Sequence, residues 1–270
     1  MPLSHRLLKA FFYFWVALGF AYILIPLALI VWMSFFSNSI PYVPPAGYTV
    51  AWYAVAAGEA QFYASFLFSF QVAVIAAALG LVVSIPAALV LRNGKGWLSA
   101  AILNLLTAPL IVPTIVIGAG IYITLITIEI ATQWPIVGSL WAFGLAHVLL
   151  TIPWCIRLLL ANLQTVNSSL EEAAASLGAR PAVVLYRVTL PVMWSGVVAA
   201  ALFSFVVSFG NIELSVFLSQ PGNTTLPVVI LQYLTWKLDP SVAAVSVVQI
   251  ALIAAMLLIA DRYINLTRVV

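Results

Sequence analysis

The sequence predicts an all-α integral membrane protein with six transmembrane helices, and three observations support this. Hydrophobic residues make up 65% of the 270 positions and charged residues only 6%, whereas an average soluble domain carries about 45–50% and 25%. Six apolar stretches reach roughly the 20 residues that a helix needs to cross a bilayer. The basic residues gather in connections on one side. So much hydrocarbon cannot be covered by water, and only helices or closed barrels satisfy their backbone within lipid.

Taken in order, the first expected span is about Ala10–Met33. It follows Arg6 and Lys9 but exceeds the 7–15 apolar residues of a signal peptide and lacks a small-residue cleavage site, so it reads as a retained anchor. Residues 34–61 contain Pro41, Pro44, Pro45 and Gly47, which favour extended or turn structure over helix. Further spans are expected at about Phe62–Leu91, Trp97–Leu125, Ile136–Leu160, Met193–Leu218 and Val242–Ala260. Leu226–Trp236 is apolar but about half the spanning length, and reads as a short helix lying on the bundle or re-entering it. With the N-terminus in the cytoplasm, Arg6, Lys9, Arg92, Lys95, Arg157, Arg180, Arg187, Arg262 and Arg268 fall inside and only Lys237 outside. The positive-inside rule therefore places both termini in the cytoplasm. Trp32, Trp97, Trp134, Trp194 and Trp236 stand at span ends, where amphipathic rings favour the headgroup layer.

Several function classes drop out. A single cysteine, Cys155, and two histidines, His5 and His147, supply neither a disulfide nor a metal cluster. The net charge of +3 is dispersed among short loops and forms no nucleic-acid footprint. There is no G-x-x-x-x-G-K-[ST] phosphate loop; Gly94-Lys95-Gly96 is a turn between spans. No nucleophile–base constellation is evident, so a catalytic centre is not expected.

The longest inner loop, residues 167–191, has a grammar of its own. Ser168 and Glu171 form a capping box, and Glu171 and Glu172 suit the positive end of a helix dipole. Ala173, Ala174 and Ala175 favour helix without bulk. Leu177 precedes Gly178, which fits the left-handed position that ends a helix, and Pro181 is suited to open the next one. The spacing predicts a short helix, a sharp turn and a second helix leading into the membrane. Small side chains leave the first helix open to close approach by a partner.

Glu172-Ala173-Ala174, then three residues, Gly178, nine more, Val188, one more and Leu190-Pro191 resemble the E-A-A loop of ABC importer permeases of the MetI-like, binding-protein-dependent type. Val188 stands where isoleucine is common. The likeness extends over about residues 35–262, including Ala46–Tyr53, Pro109–Pro113 with Gly118, and His147, Pro153 and Arg157. It is strongest for the second permease of spermidine/putrescine-type importers. The resemblance implies one permease domain over residues 1–270, with a MetI-like core at about 62–262, in the bacterial inner membrane. It implies that Glu171, Glu172, Ala173, Ala174, Leu177 and Gly178 form a coupling helix docking on an ATPase. Two ABC ATPase subunits carrying ATP and Mg, a second permease and a periplasmic or lipid-anchored solute-binding protein are the implied partners. This chain itself is expected to bind no cofactor.

Polar groups within lipid are costly and so mark candidate solute pathways. Glu213 leads, followed by Asn211, Gln71, His147, Gln249 and Asn104; any of the latter can instead bond a facing helix. Where polyamine permeases carry an acidic pair, this chain has Gly210-Asn211, with Glu213 the nearest acid. A small polar, amine-containing solute (polyamine-, opine- or aminophosphonate-like) is expected. The alternative is a secondary transporter driven by an ion gradient.

Overall fold

The structure, a computed structural model, describes residues 2–165 and 168–264. Expectations resting on the side chains of Arg6 and Ser168, or on Arg268, fall outside what is described. Helices α1 (Pro2–Met33), α2 (Ala51–Gly58), α3 (Ala60–Arg92), α4 (Trp97–Thr107), α5 (Thr114–Thr132), α6 (Leu140–Thr165) and α7 (Ser168–Ser176) lead into α8 (Pro181–Val192) and α9 (Trp194–Phe209). Then come α10 (Ser215–Leu218), α11 (Leu226–Trp236) and α12 (Ser241–Ile264). Among the described residues β-type pairing is limited to two isolated β-bridges. Five helices (α1, α3, α5, α6 and α12) are long and apolar enough to cross a membrane, and α8–α9 makes a sixth span if its 64° bend is allowed.

Two expected spans are interrupted. The stretch Trp97–Leu125 divides because α4 runs through a 3-10 turn at Ala108–Leu110 and stops, and α5 restarts after Pro113. Pro109 and Pro113 each lack an N–H, which ends continuous helix. α5 then continues past the expected end to Thr132. There the Glu129 carboxylate accepts the backbone N–H groups of Ile136 and Val137 at 2.8 and 2.7 Å and so holds the following turn. The stretch Met193–Leu218 likewise breaks after Phe209. Asn211 Oδ1 accepts the Leu214 N–H at 3.0 Å, making a side-chain turn in place of helix. Residues 34–61, expected to be non-helical, contain α2 after the proline-rich part.

The chain forms two compact units. The first comprises Met1–Phe62 and Ile230–Leu252. In it, the segment after α1 folds through a Trp52 indole N–H donated to the Phe36 carbonyl at 2.7 Å and a Ser34–Tyr53 hydroxyl contact at 2.8 Å. The second comprises Tyr63–Val229 and Ile253–Val270, and its centre is α6 packed on α9. Gly196, Ala200, Ser204 and Ser208 recur every fourth residue on α9, all buried, so the two backbones approach closely, as small residues allow in lipid. Cys155 meets Ser204 at 2.9 Å, and Asn162 donates to Ser195 at 3.4 Å. The pairs run in opposite order along the two helices, which are therefore antiparallel. On the other side of α6, Thr151 donates to the Ala76 carbonyl of α3 at 3.0 Å.

Candidate functional site

The loop between α6 and α9 folds as its residue types dictate. At the end of α7 the Ala179 N–H donates to the Ala174 carbonyl at 3.1 Å, and the Gly178 N–H to Ala175 at 2.9 Å. This pair of bonds is the Schellman closure, and it requires a left-handed residue; Gly178 supplies it at φ +83°. α8 opens at Pro181. Glu172, Ala173, Ser176 and Gly178 are exposed, and the Leu177 side chain is 90% exposed. Four small or apolar residues and one acid thus form a bare surface about two helical turns long.

Glu171 points the other way. Arg92, the last residue of α3, donates Nη1 to Glu171 Oε1 at 3.0 Å and Nη2 to Oε2 at 2.6 Å. Thr189 donates its hydroxyl to Oε1 at 2.6 Å. The Arg92 hydrogen bonds hold the Glu171 carboxyl below the usual carboxylate range; burial opposes this, and Thr189 and the Arg92 charge add to it. A cavity of about 570 Å³ lies here, bordered by Arg92, Asn93, Glu171, Pro181 and Thr189.

A second cavity, of about 560 Å³, lies where the two expected spans break. Pro109–Ile115, Pro153 and Trp154 line it together with Asn211 and Glu213. Gly118 of α5 makes the approach possible. A Cβ there would stand 3.1 Å from Leu214 Cα and 3.4 Å from the Glu213 carbonyl oxygen. Asn211 has its oxygen engaged by Leu214, so the amide NH₂ is what it can offer the cavity. One carboxylate, one amide donor, the Thr114 hydroxyl and an indole ring are the polar and aromatic equipment of this cleft. Among the described residues no group of three or more His, Cys, Asp or Glu is placed to hold a metal ion.

The model of the family described as "Binding-protein-dependent transport system inner membrane component" matches residues 80–267. The chain belongs to this family. It is the permease component of an ABC importer. The permease is 28% identical over 230 residues to the putrescine transport system permease PotI of Escherichia coli K12, covering 85% of this chain and 82% of that one. It is 29% identical over 244 residues to PhnV of Salmonella paratyphi A, named for 2-aminoethylphosphonate transport, covering 88% of each. In fold it matches a chain of a bacterial ABC transporter involved in alginate import, with a TM-score of 0.72 at 14% identity over 97% of this chain and 98% of that one. Family membership displaces the ion-gradient alternative.

Of the polar positions singled out in the permease sequence, the structure brings Asn211 and Glu213 together in one cleft. Glu213 lies in the break between α9 and α10, not within a span. His147 is fully buried. Its Nδ1 lies 2.8 Å from the Ser208 hydroxyl and its Nε2 3.2 Å from that of Ser215. Those serines flank the break, so the histidine pins the turn that carries Glu213. Gln71 and Asn104 are exposed on α3 and α4, and Gln249 is half-buried in the first unit. From the sequence Arg92 is legible only as an inside charge, and Thr189, Glu129 and Trp154 are not singled out. No sequence signal pairs Arg92 with Glu171, 79 residues away, and Thr189 and Trp154 carry none.

Proposed function

We propose that this permease moves an amine-containing solute by alternating access, driven by ATP hydrolysed on two partner ABC ATPase subunits that carry ATP and Mg. The bare surface of α7, with Leu177 at its tip, is the observation that carries this reading: an apolar side chain 90% exposed beside alanines and a glycine calls for a protein partner. A second, non-identical permease completes the pathway, because one chain supplies one coupling loop and two ATPase subunits close on ATP. A periplasmic or lipid-anchored binding protein delivers the solute. The charge asymmetry, nine basic residues against one, supports cytoplasmic termini and a cytoplasmic α7 in the inner membrane.

For the solute, a lone carboxylate at Glu213 with the Asn211 amide donor and the Trp154 ring favours one ammonium group paired with an oxygen-bearing anionic end. An ammonium ion is attracted both to a carboxylate and to an indole face. The similarity to permeases named for putrescine and 2-aminoethylphosphonate supports the amine, and the single acid favours the latter kind of solute. The test is uptake into proteoliposomes holding the complete importer and its binding protein. Uptake that needs internal ATP and survives a collapsed proton gradient is expected; uptake that ignores ATP and follows the gradient would overturn the reading.

A further inference from the structure

We infer that Arg92 is a positioning residue for coupling, which fastens α7 to the end of α3 through Glu171 so that the two move as one body. The inference rests on the reading of α7 as the element an ATPase grips, and it separates two neighbouring acids by role. Glu172 is exposed on the docking face. Glu171 is turned inward, its side chain 21% exposed against 13% for Arg92, with both oxygens occupied from within the chain.

Three elements meet at this carboxylate. Arg92 ends α3, Glu171 lies in the first turn of α7, and Thr189 closes a π-helical turn, Leu185–Thr189, within α8. A planar guanidinium facing a carboxylate through two parallel bonds fixes orientation as well as distance, which a single lysine ammonium would not. Each charge also sits at the helix end that favours it, cation at the C-terminus of α3 and anion at the N-terminus of α7. The buried Thr189 hydroxyl ties the same carboxylate to the helix that runs on into α9. A push on α7 is thereby delivered to α3 and α8 at one point. π-turns inside helices recur at functional positions, and this one places Thr189 at the junction.

The experiment uses the assembled importer with spin labels on Leu170→Cys of α7, which lies outside the docking surface, and Val90→Cys of α3, both exposed positions. Distances are compared with ADP and with ATP plus vanadate. The wild-type clasp should keep the separation constant within about 2 Å, the size of ordinary helix shifts. Glu171→Arg and Arg92→Glu, which place like charges together, should each broaden the distribution and make it nucleotide-dependent, and the double swap should narrow it again. Arg92→Lys, a milder change should the swaps fail to assemble, should broaden it partly. A wild-type separation that changes by more than about 5 Å, one helical turn, overturns the inference, as do single variants that remain narrow. Failure of the docking reading shows elsewhere: Glu172→Lys would then leave ATPase co-purification intact.

Discussion

Replacing Gly178 by alanine, asparagine and proline tests whether the turn after α7 acts through its backbone alone. The residue sits at φ +83°, and a Cβ added there meets nothing within 4 Å. Bulk is therefore irrelevant, and the cost of alanine is the strain of an L-residue in the left-handed region, about 1–2 kcal/mol. That is roughly a five- to thirtyfold shift between the turn and its competitors. Asparagine visits the region more readily and should retain most function. Proline is worse than either, because its φ is locked near −65° and it loses the N–H now donated to Ala175 at 2.9 Å. The assay is ATP hydrolysis stimulated by the binding protein in the reconstituted importer, normalised to inserted permease. The expected order is glycine, asparagine, alanine, proline. Alanine equal to wild type, or asparagine as poor as proline, would refute the reasoning.

Gly118→Ala should lower the stability of the detergent-solubilised protein by about 1–3 kcal/mol, because its Cβ would press on Phe217 at 2.8 Å and on the Leu214 backbone. Gly120→Ala on the same helix meets nothing within 4 Å and serves as the control in the same thermal melt. Glu213→Gln should reduce uptake of an amine-bearing solute about tenfold, the worth of a hydrogen bond to a charged group, in competition against an uncharged analogue, whereas equal losses for both would make the carboxylate structural. Glu171→Gln should cost about 1.5–3 kcal/mol near neutrality, the worth of hydrogen bonds to a charged group. Because the Glu171 carboxyl is held low, its contribution is fully present above the ordinary glutamate value of about 4.3 and is lost as pH falls through the depressed one. The difference in melting temperature between wild type and Glu171→Gln should therefore be flat from pH 6 to 8 and shrink only in acid.

Much of this architecture was legible because lipid imposes simple rules. Apolar length gave α3, α6 and α12 within about five residues at each end and the C-terminal end of α1, whose start at Pro2 lies eight residues before the expected one, and Leu226–Trp236 matched α11. The turn at Gly178 and the start at Pro181 followed from backbone chemistry that favours those residues. The breaks at Pro113 and Gly210 were written in the sequence as well, as two prolines and a Gly-Asn pair, but hydropathy averages over such local signals. What stayed hidden depends on long-range pairing. Arg92 and Glu171 are 79 residues apart, and no periodicity links them. The turn that carries Glu213 packs against α5 at a glycine, Gly118, where Leu214 passes closely.

The central claim, that α7 faces the cytoplasm and is covered by an ATPase, is tested most directly with Leu177→Cys. The native Cys155 is fully buried and should stay silent towards a membrane-impermeant thiol reagent. In inside-out vesicles the new cysteine should be modified when the ATPase subunits have been stripped and protected when they are restored. Modification from the periplasmic side of right-side-out vesicles, or labelling indifferent to the ATPase, would contradict the account.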